Sequence, residues 1–261
     1  MKSNKAKRFY YLINIQFLGF RYSGWQKQTN AKTIQGMVDK TFFCIFGHDN
    51  FKTLGAGRTD TRVSANEFSF ELFVNEELDE DNLLLELNSN FPADIRAISV
   101  KQVDSNFKII NDPKVKEYFY MFAFGERIHP FCTPFMVCFD QNLNIDLMKE
   151  GAKLFEGKHN FQRYCYKPSK ETEFVREVLK SEIVENDIYT ASFFPKKSWV
   201  FHVHGKGFMR QQIRLMVGTL VRLGLGEISL EDIRVSLEGG DNIHLARIAP
   251  SSGLNLNKVS F

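Results

Sequence analysis

The sequence lacks the usual signatures of metal-binding and disulfide-stabilised proteins. Its four cysteines, Cys44, Cys132, Cys138 and Cys165, show no C-x-x-C spacing, and its six histidines form no H-E-x-x-H pattern. Neither a structural zinc site nor a disulfide framework is therefore expected. We predict that all four thiols are reduced and lie in the protein core.

Long apolar runs and a strong excess of charge are also missing. No run approaches the ~18 apolar residues of a membrane span, and residues 1–8 lack the apolar region of a secretory signal. A cytoplasmic location is the resulting expectation. The 34 Lys and Arg residues nearly balance the 31 Asp and Glu residues, which gives a formal net charge of +3. A nucleic-acid-binding function would therefore have to rest on local clusters of positive charge.

What the sequence does contain is an α+β pattern long enough for one or two domains, with 261 residues of which 43% are hydrophobic. Alternating or continuous apolar residues predict strands at residues 9–17, 68–72, 98–103, 118–124, 178–184, 198–204 and 254–257. Helical spacing and capping residues predict helices after Thr33, after the acidic run 76–81, at 145–155, at 208–223 and after Ser229.

The irregular residues 104–117, which include Asp112-Pro113 and several lysines, are the predicted domain boundary. They separate an N-terminal α/β domain at 1–107 from a C-terminal α/β domain at 108–261. In each half, helices are expected to pack on an antiparallel sheet. A cleft between two such halves is a common place for a ligand.

The stretch Leu54-Gly-Ala-Gly-Arg-Thr-Asp-Thr-Arg-Val-Ser-Ala-Asn66 is the strongest candidate for a functional loop. Its glycines allow a tight turn and close approach to a ligand. Asp60 lies between Arg58 and Arg62, so we expect an ionised carboxylate at neutral pH, suited to nucleophilic attack or ion pairing rather than to proton donation. The alternative is an Asx-turn aspartate that only caps the backbone. The turn is predicted to join a helix to a strand.

Two further segments carry side chains that suit a polar ligand. Residues 19–28 combine aromatic, amide and cationic side chains in a loop, which fits either binding of a planar ligand or aromatic packing beneath the loop. Residues 188–226 contain no acidic residue. Arg210 and Arg214 are predicted to project together from the helix at 208–223, where they could contact phosphate or form a solvated face. The cations of this basic stretch are Lys196, Lys197, Lys206, Arg210, Arg214 and Arg222.

Six strings in one order resemble the tRNA pseudouridine synthase A family. They are Tyr22-Ser-Gly-Trp-Gln-Lys-Gln28, Gly57-Arg-Thr-Asp60, Lys116-Glu-Tyr-Phe-Tyr120, Gly157-Lys-His-Asn-Phe161, Phe208-Met-Arg-Gln-Gln-Ile-Arg-Leu-Met-Val-Gly-Thr-Leu220 and Ala249-Pro-Ser-Ser-Gly-Leu254. The resemblance spans residues 10–261. It implies the pseudouridine synthase fold, in which two similar α/β domains join their antiparallel sheets into a continuous platform with a basic cleft between them.

The same resemblance implies an activity and roles for individual residues. The activity is isomerisation of uridine to pseudouridine in tRNA, without a cofactor, around positions 38 to 40 of the anticodon stem-loop, by a homodimer. Asp60 matches the nucleophile, Tyr118 the tyrosine that stacks on the target base and is a candidate acceptor of its C5 proton, and Arg214 the cation that pairs with the aspartate. The residues implied to hold the RNA are Arg58, which accompanies base flipping, Tyr118, Lys206 and Arg210.

The chain departs from the family pattern at three places. Many bacterial members have a glycine and a histidine where this chain has Arg62 and Ser64, an F-H-A-R string is replaced by Phe107-Lys-Ile-Ile110, and Y-D-G reads Phe17-Leu-Gly19. These changes leave the catalytic trio intact and concern the choice of substrate. The alternative function is that of a catalytically inactive paralogue that binds or remodels structured RNA, which loss of Asp60 would have favoured.

Overall fold

A computed structural model describes residues 7–239 and 247–261. Most of the N-terminal segment considered above as a signal sequence therefore lies outside the described residues. The chain divides into two compact units. Unit 1 comprises Met1–Lys114 and Leu256–Phe261, and unit 2 comprises Val115–Asn255. Across the described ranges, no helix combines the length and the apolar character that a membrane span requires.

The described residues form ten strands and five α-helices. The strands are β1 (Phe9–Phe17), β2 (Lys52–Gly55), β3 (Ser64–Val74), β4 (Ile95–Val103), β5 (Val115–Phe124), β6 (Val137–Phe139), β7 (Gly157–Asn160), β8 (Val175–Glu185), β9 (Trp199–Gly205) and β10 (Leu254–Ser260). The helices are α1 (Ile34–Phe46), α2 (Glu80–Asn90), α3 (Ile145–Lys153), α4 (Gln212–Gly224) and α5 (Leu230–Leu237).

The sheet of unit 1 is antiparallel and is built around β1, which pairs with β3 on one side and β4 on the other. Alternate residues of β1 face the core, as predicted, and their register aligns them with apolar residues of β3. Ile13, for example, is opposite Phe70, and neither side chain is exposed. Helix α1 begins where Thr33 accepts a hydrogen bond from the Gly36 amide, and its Phe42 packs against Phe70.

The segment that follows β4 belongs to unit 1, and this changes the expected domain boundary. Ile109 is 1% exposed, and the ring of Phe107 packs 5.2 Å from that of Phe261 in the C-terminal segment. Residues 108–114 and the last residues of β10 therefore group with unit 1 rather than with the C-terminal half. The boundary was expected at 107 because this lysine-containing segment with Asp112-Pro113 resembles a linker, and the burial of Ile109 leaves no periodic pattern in the sequence.

Unit 2 contains a sheet in the order β5, β9, β8 and β7, with antiparallel pairing. The short strand β6 pairs in parallel with the end of β5. Residues 119–123 of β5 are all at most 1% exposed, which confirms the prediction of a strand buried on both faces. On one face, Phe119 and Met121 pack with Cys132, Met136 and residues after β8. Helix α3 packs against α4, α5 and β8, and α5 packs against β7.

Three local predictions are corrected by the structure. Helix α4 begins at Gln212 rather than at residue 208. The turn that carries Asp60 joins β2 to β3 rather than a helix to a strand, because the four residues of β2 are too few to show a periodic pattern. Cys44 is exposed on α1 and is not a core thiol, whereas Cys132 is buried and all four cysteines are unpaired.

Helix α4 packs directly against the backbone of the segment that precedes β10. A Cβ atom added at Gly218 would lie 1.6 Å from the carbonyl oxygen of Arg247. The Ala249 amide also donates a hydrogen bond to the Arg214 carbonyl over 3.1 Å. A side chain at Gly218 would therefore force this segment away from the helix.

We expect Gly218→Ala to lower the free energy of unfolding by roughly 2 kcal/mol, because overpacking outweighs the ~1 kcal/mol by which alanine favours a helix. Urea denaturation measures the change. Gly207→Ala is the matched control, since no atom lies within 4 Å of the added Cβ, and its effect should be small. Equal stabilities of the two variants would show that the close contact at Gly218 is not important.

Candidate active site

The Asp60 loop occupies the turn between β2 and β3 in unit 1. Asp60 is partly buried and Arg58 is exposed. The Val63 amide donates to the Asp60 carbonyl over 3.2 Å, which closes a four-residue turn. The third residue of this turn, Arg62, has a φ of 66°, and type II turns require a positive φ at that position.

Residues 19–25 support this turn through direct contact between the two backbones. The Arg62 amide donates to the Tyr22 carbonyl over 3.0 Å, and the Trp25 amide donates to the Thr59 carbonyl over 3.4 Å. Gly24 has a φ of 86°, and a Cβ atom there would lie 2.3 Å from the Thr59 oxygen. Only glycine allows this approach, so the supporting loop fixes the backbone on either side of Asp60.

Two aromatic residues of the supporting loop, Tyr22 and Trp25, are buried beneath it. Tyr22 and Trp25 are 2% and 1% exposed, and the Trp25 ring lies 4.3 Å from that of Phe68. Asp94 accepts hydrogen bonds from Tyr22 Oη at 2.9 Å and from Arg21 at 2.6 Å. Burial alone would raise the pKa of Asp94, but the hydrogen bonds from Arg21 and Tyr22 and the charge of Arg21 together lower it. The sequence allowed either binding of a planar ligand by this loop or packing of its aromatic residues beneath it, and the packing of Tyr22 and Trp25 is confirmed.

Tyr118 lies on β5 of unit 2, where its residue pairs with Val203 of β9. Its ring contacts Phe208 edge-on, with the ring centroids 5.5 Å apart. Lys206, which follows β9, lies 3.6 Å from a carboxylate oxygen of Glu177, and both side chains are largely exposed. Such an exposed pair contributes little stability and exchanges readily for another anion.

Arg214 is held in the first turn of α4. Its Nε donates to the Ala249 carbonyl over 2.8 Å, and Tyr120 Oη on β5 donates to the next carbonyl, that of Pro250, over 2.8 Å. Burial raises the pKa of Tyr120, although the nearby Arg214 charge acts in the opposite direction, so this phenol stays neutral. The Ala249–Pro250 segment thus ties the helix that carries Arg214 to the strand that carries Tyr118.

Arg210 does not share a helix face with Arg214, which corrects the sequence prediction. Gln211, which precedes α4, has a left-handed backbone with a φ of 59°, so Arg210 lies outside the helix. Its guanidinium lies 5.4 Å from the centroid of the Tyr166 ring. Near the other end of α4, Arg222 pairs with Glu227 at 2.9 Å. The basic stretch is therefore not one continuous charged face.

The predicted site residues are divided between the units. Asp60 and Arg58 belong to unit 1, and unit 2 holds Tyr118, Lys206, Arg210 and Arg214. Within the part of the chain that the structure describes, no group of three or more His, Cys, Asp or Glu side chains could hold a metal ion.

The chain is similar to known tRNA pseudouridine synthases. The family model described as tRNA pseudouridine synthase matches residues 152–261. A Bacillus thuringiensis protein named tRNA pseudouridine synthase A 2 is 32% identical over 252 residues, which cover 96% of this chain and 99% of the relative. Proteins named tRNA pseudouridine synthase A from Pseudothermotoga lettingae and Clostridium kluyveri are 32% and 30% identical. Their alignments cover 98% and 95% of this chain, and 100% and 97% of those relatives.

The chain belongs to the tRNA pseudouridine synthase A family. The structure accounts for two of its departures from the family pattern. Arg62 replaces a glycine at a position with positive φ, and its guanidinium lies 5.2 Å from the centroid of the Phe20 ring. Ser64 Oγ is buried and accepts a 2.9 Å hydrogen bond from the Gly19 amide. Serine therefore helps to hold the supporting loop, whereas Arg62 carries backbone strain.

Sequence analysis missed the aromatic partners of the site. Phe208 was recognised only as part of a family string, and neither Phe20 nor Tyr166 was singled out. Each of the latter two rings lies beside a cationic residue in sequence, as in Phe20-Arg21 and Tyr166-Lys167. An aromatic residue next to a cation was the only sequence signal for these rings. For Phe20 that signal would have suggested the wrong partner, because its ring contacts Arg62, 42 residues away, as the fold shows.

We expect Arg62→Gly to be more stable than Arg62→Ala by about 1 kcal/mol, because only glycine relieves the left-handed backbone. Both variants lose the contact with Phe20, so the alanine variant is the matched control for that loss. Chemical denaturation of the two variants measures the difference. An alanine variant at least as stable as the glycine variant would mean that the turn is not strained.

Proposed function

We propose that this chain is an RNA pseudouridine synthase that isomerises uridine to pseudouridine in tRNA. The observation that carries the proposal is the full-length membership in the tRNA pseudouridine synthase A family, combined with an intact Asp60 on a turn that the neighbouring loop fixes. Fixed geometry matters because a nucleophile must stay within a few tenths of an ångström of its attacking position.

In the proposed reaction, Asp60 attacks the flipped-out uridine at the ribose C1′ or at base C6. The bond between N1 and C1′ breaks, the uracil rotates, and C5 forms the new bond to C1′. The bond to the Asp60 carboxylate breaks to release the enzyme, and N1 takes up a proton. The C5 proton then leaves, and Tyr118 is the candidate acceptor. Splitting the exchange through a covalent intermediate replaces one difficult step with easier ones. The Tyr118 ring, held edge-on by Phe208, would provide the surface on which the uracil stacks.

We further propose that the two units bring Asp60 next to Tyr118 and Arg214, with their sheets in one platform and a basic cleft between them. In this arrangement unit 1 contributes the aspartate loop, and unit 2 contributes the tyrosine strand and the arginine helix. A partly buried carboxylate needs a fixed cation, and the hydrogen bond from Arg214 to Ala249 supports that role by restraining the guanidinium.

The remaining proposals concern the RNA and the assembly. Arg58 and Arg210 are exposed cations and would contact phosphates around the flipped nucleotide, as would Lys206 after release from Glu177. The target would lie around positions 38 to 40 of the anticodon stem-loop. A cytoplasmic homodimer is the proposed working form, and light scattering with and without tRNA would measure its stoichiometry.

We expect Asp60→Ala to abolish product formation and to leave tRNA affinity nearly unchanged, because the nucleophile is lost while the phosphate contacts stay. Tritium release from tRNA labelled at uridine C5 measures the reaction, and filter binding measures affinity. Asp49→Ala, an exposed aspartate of the same unit, is the matched control and should react like the unmodified protein.

Two results would contradict the proposal. Activity in the Asp60→Ala variant would rule out this residue as the nucleophile. Tight binding of tRNA by the unmodified protein, with no tritium release from any tRNA, would favour the alternative of an RNA-binding paralogue without catalysis.

A further inference from the structure

We infer that Tyr166, Lys167 and Arg210 form an anion site that holds a backbone phosphodiester of bound tRNA, and this inference rests on the proposed function. The three residues are called the Tyr166 cluster. Lys167 Nζ lies 5.3 Å and Arg210 Cζ 5.4 Å from the centroid of the same Tyr166 ring. Cation–π contacts of this kind restrain two side chains that would otherwise be flexible.

The backbone also holds the cluster together. The Tyr166 amide donates to the Arg210 carbonyl over 3.1 Å, which joins the segment between β7 and β8 to the residues before α4. Lys167 has a φ of 47°, and Gln211, next to Arg210, has a φ of 59°. Two of the three non-glycine residues with positive φ in the described chain thus lie at or beside this cluster. Backbone strain of this kind tends to occur at functional sites.

The charges of the cluster are not balanced by carboxylates. Neither Lys167 nor Arg210 forms an ion pair with any acidic residue that the structure describes, in contrast to Lys206 and Arg222, and both side chains are exposed. Helix α4 begins two residues after Arg210, with no acidic residue in its first turn and no side-chain cap. The positive end of the helix dipole therefore adds to two like charges, and a bound anion would relieve their repulsion.

The position of the cluster favours an RNA phosphodiester as the anion. Arg210 follows Phe208 by two residues, and Phe208 contacts Tyr118, the proposed surface for the target base. A guanidinium and an ammonium held on one ring match the negatively charged oxygens of a phosphate. Because both side chains are already restrained, little conformational entropy remains to be lost when the phosphate binds.

Two variants separate the charge of the cluster from its organisation. Lys167→Asn removes one charge but keeps a residue that tolerates positive φ. It should weaken tRNA binding roughly threefold to tenfold at low salt, and it should reduce the slope of log affinity against log salt by about 0.7 to 0.9. Tyr166→Leu keeps both charges and should still weaken binding by roughly threefold, because the cations lose their common support.

Filter binding of tRNA over a range of salt concentrations makes the measurement, and thermal melting checks that each variant is folded. Lys153→Gln removes an exposed cation at the end of α3 and should bind tRNA like the unmodified protein. Affinities and salt slopes of Lys167→Asn and Tyr166→Leu equal to those of the unmodified protein would overturn the inference, even if that protein isomerises tRNA.

A titration with inorganic phosphate alone distinguishes another source of the anion. Loss of phosphate binding in Lys167→Asn, with unchanged tRNA affinity and salt slope, would mean a site for free phosphate and would overturn the RNA assignment. The proposed function is tested separately by turnover. If the unmodified protein binds tRNA without isomerising it, that function fails, while the affinities of the variants still decide the role of the cluster.

Discussion

The site depends on backbone packed directly against backbone. In unit 1, the supporting loop at 19–25 approaches the Asp60 turn so closely that Gly24 leaves no space for a Cβ atom. In unit 2, Gly218 allows the segment that carries Ala249 to lie against α4, where it accepts the hydrogen bond from Arg214. Each unit therefore positions its proposed catalytic side chain, Asp60 or Arg214, through a backbone contact that involves few rotatable bonds, and such contacts limit displacement of the side chain.

Cations placed on aromatic rings are the second recurring feature. Arg62 lies over Phe20, and Lys167 and Arg210 lie over Tyr166. In the described chain, Arg62 and Lys167 are also the cationic residues with a left-handed backbone. A backbone position with positive φ normally favours glycine. A charged residue at such a position lowers the stability of the fold locally, which suggests that its side chain has a role that offsets this loss. Arg62, a departure from the family pattern, shares both features with Lys167 of the proposed phosphate site.

Periodicity predicted the elements whose apolar faces are long, and it missed features set by contacts distant in sequence. Strand β1 and helix α1 were predicted with nearly the observed limits because their buried residues alternate or recur every three to four positions. The start of α4 was placed too early, since a single left-handed Gln211 leaves no mark in hydrophobic spacing. The glycine-rich turn and the basic stretch pointed to Asp60, Arg210 and Arg214, and the family strings added Tyr118 and the roles of all four residues. Neither signal shows which contacts hold these side chains in place. The hydrogen bond from Arg214 to Ala249 joins residues 35 positions apart.

The most direct test of the proposed activity is site-resolved mapping of pseudouridine in tRNA from cells with and without the gene for this chain. Carbodiimide adducts that stop reverse transcription report each modified position. The account predicts that loss of the gene removes pseudouridine from uridines of the anticodon stem-loop and that restoring the gene returns it. Unchanged pseudouridine at every tRNA position, together with no activity of the purified protein on bulk tRNA, would contradict the account.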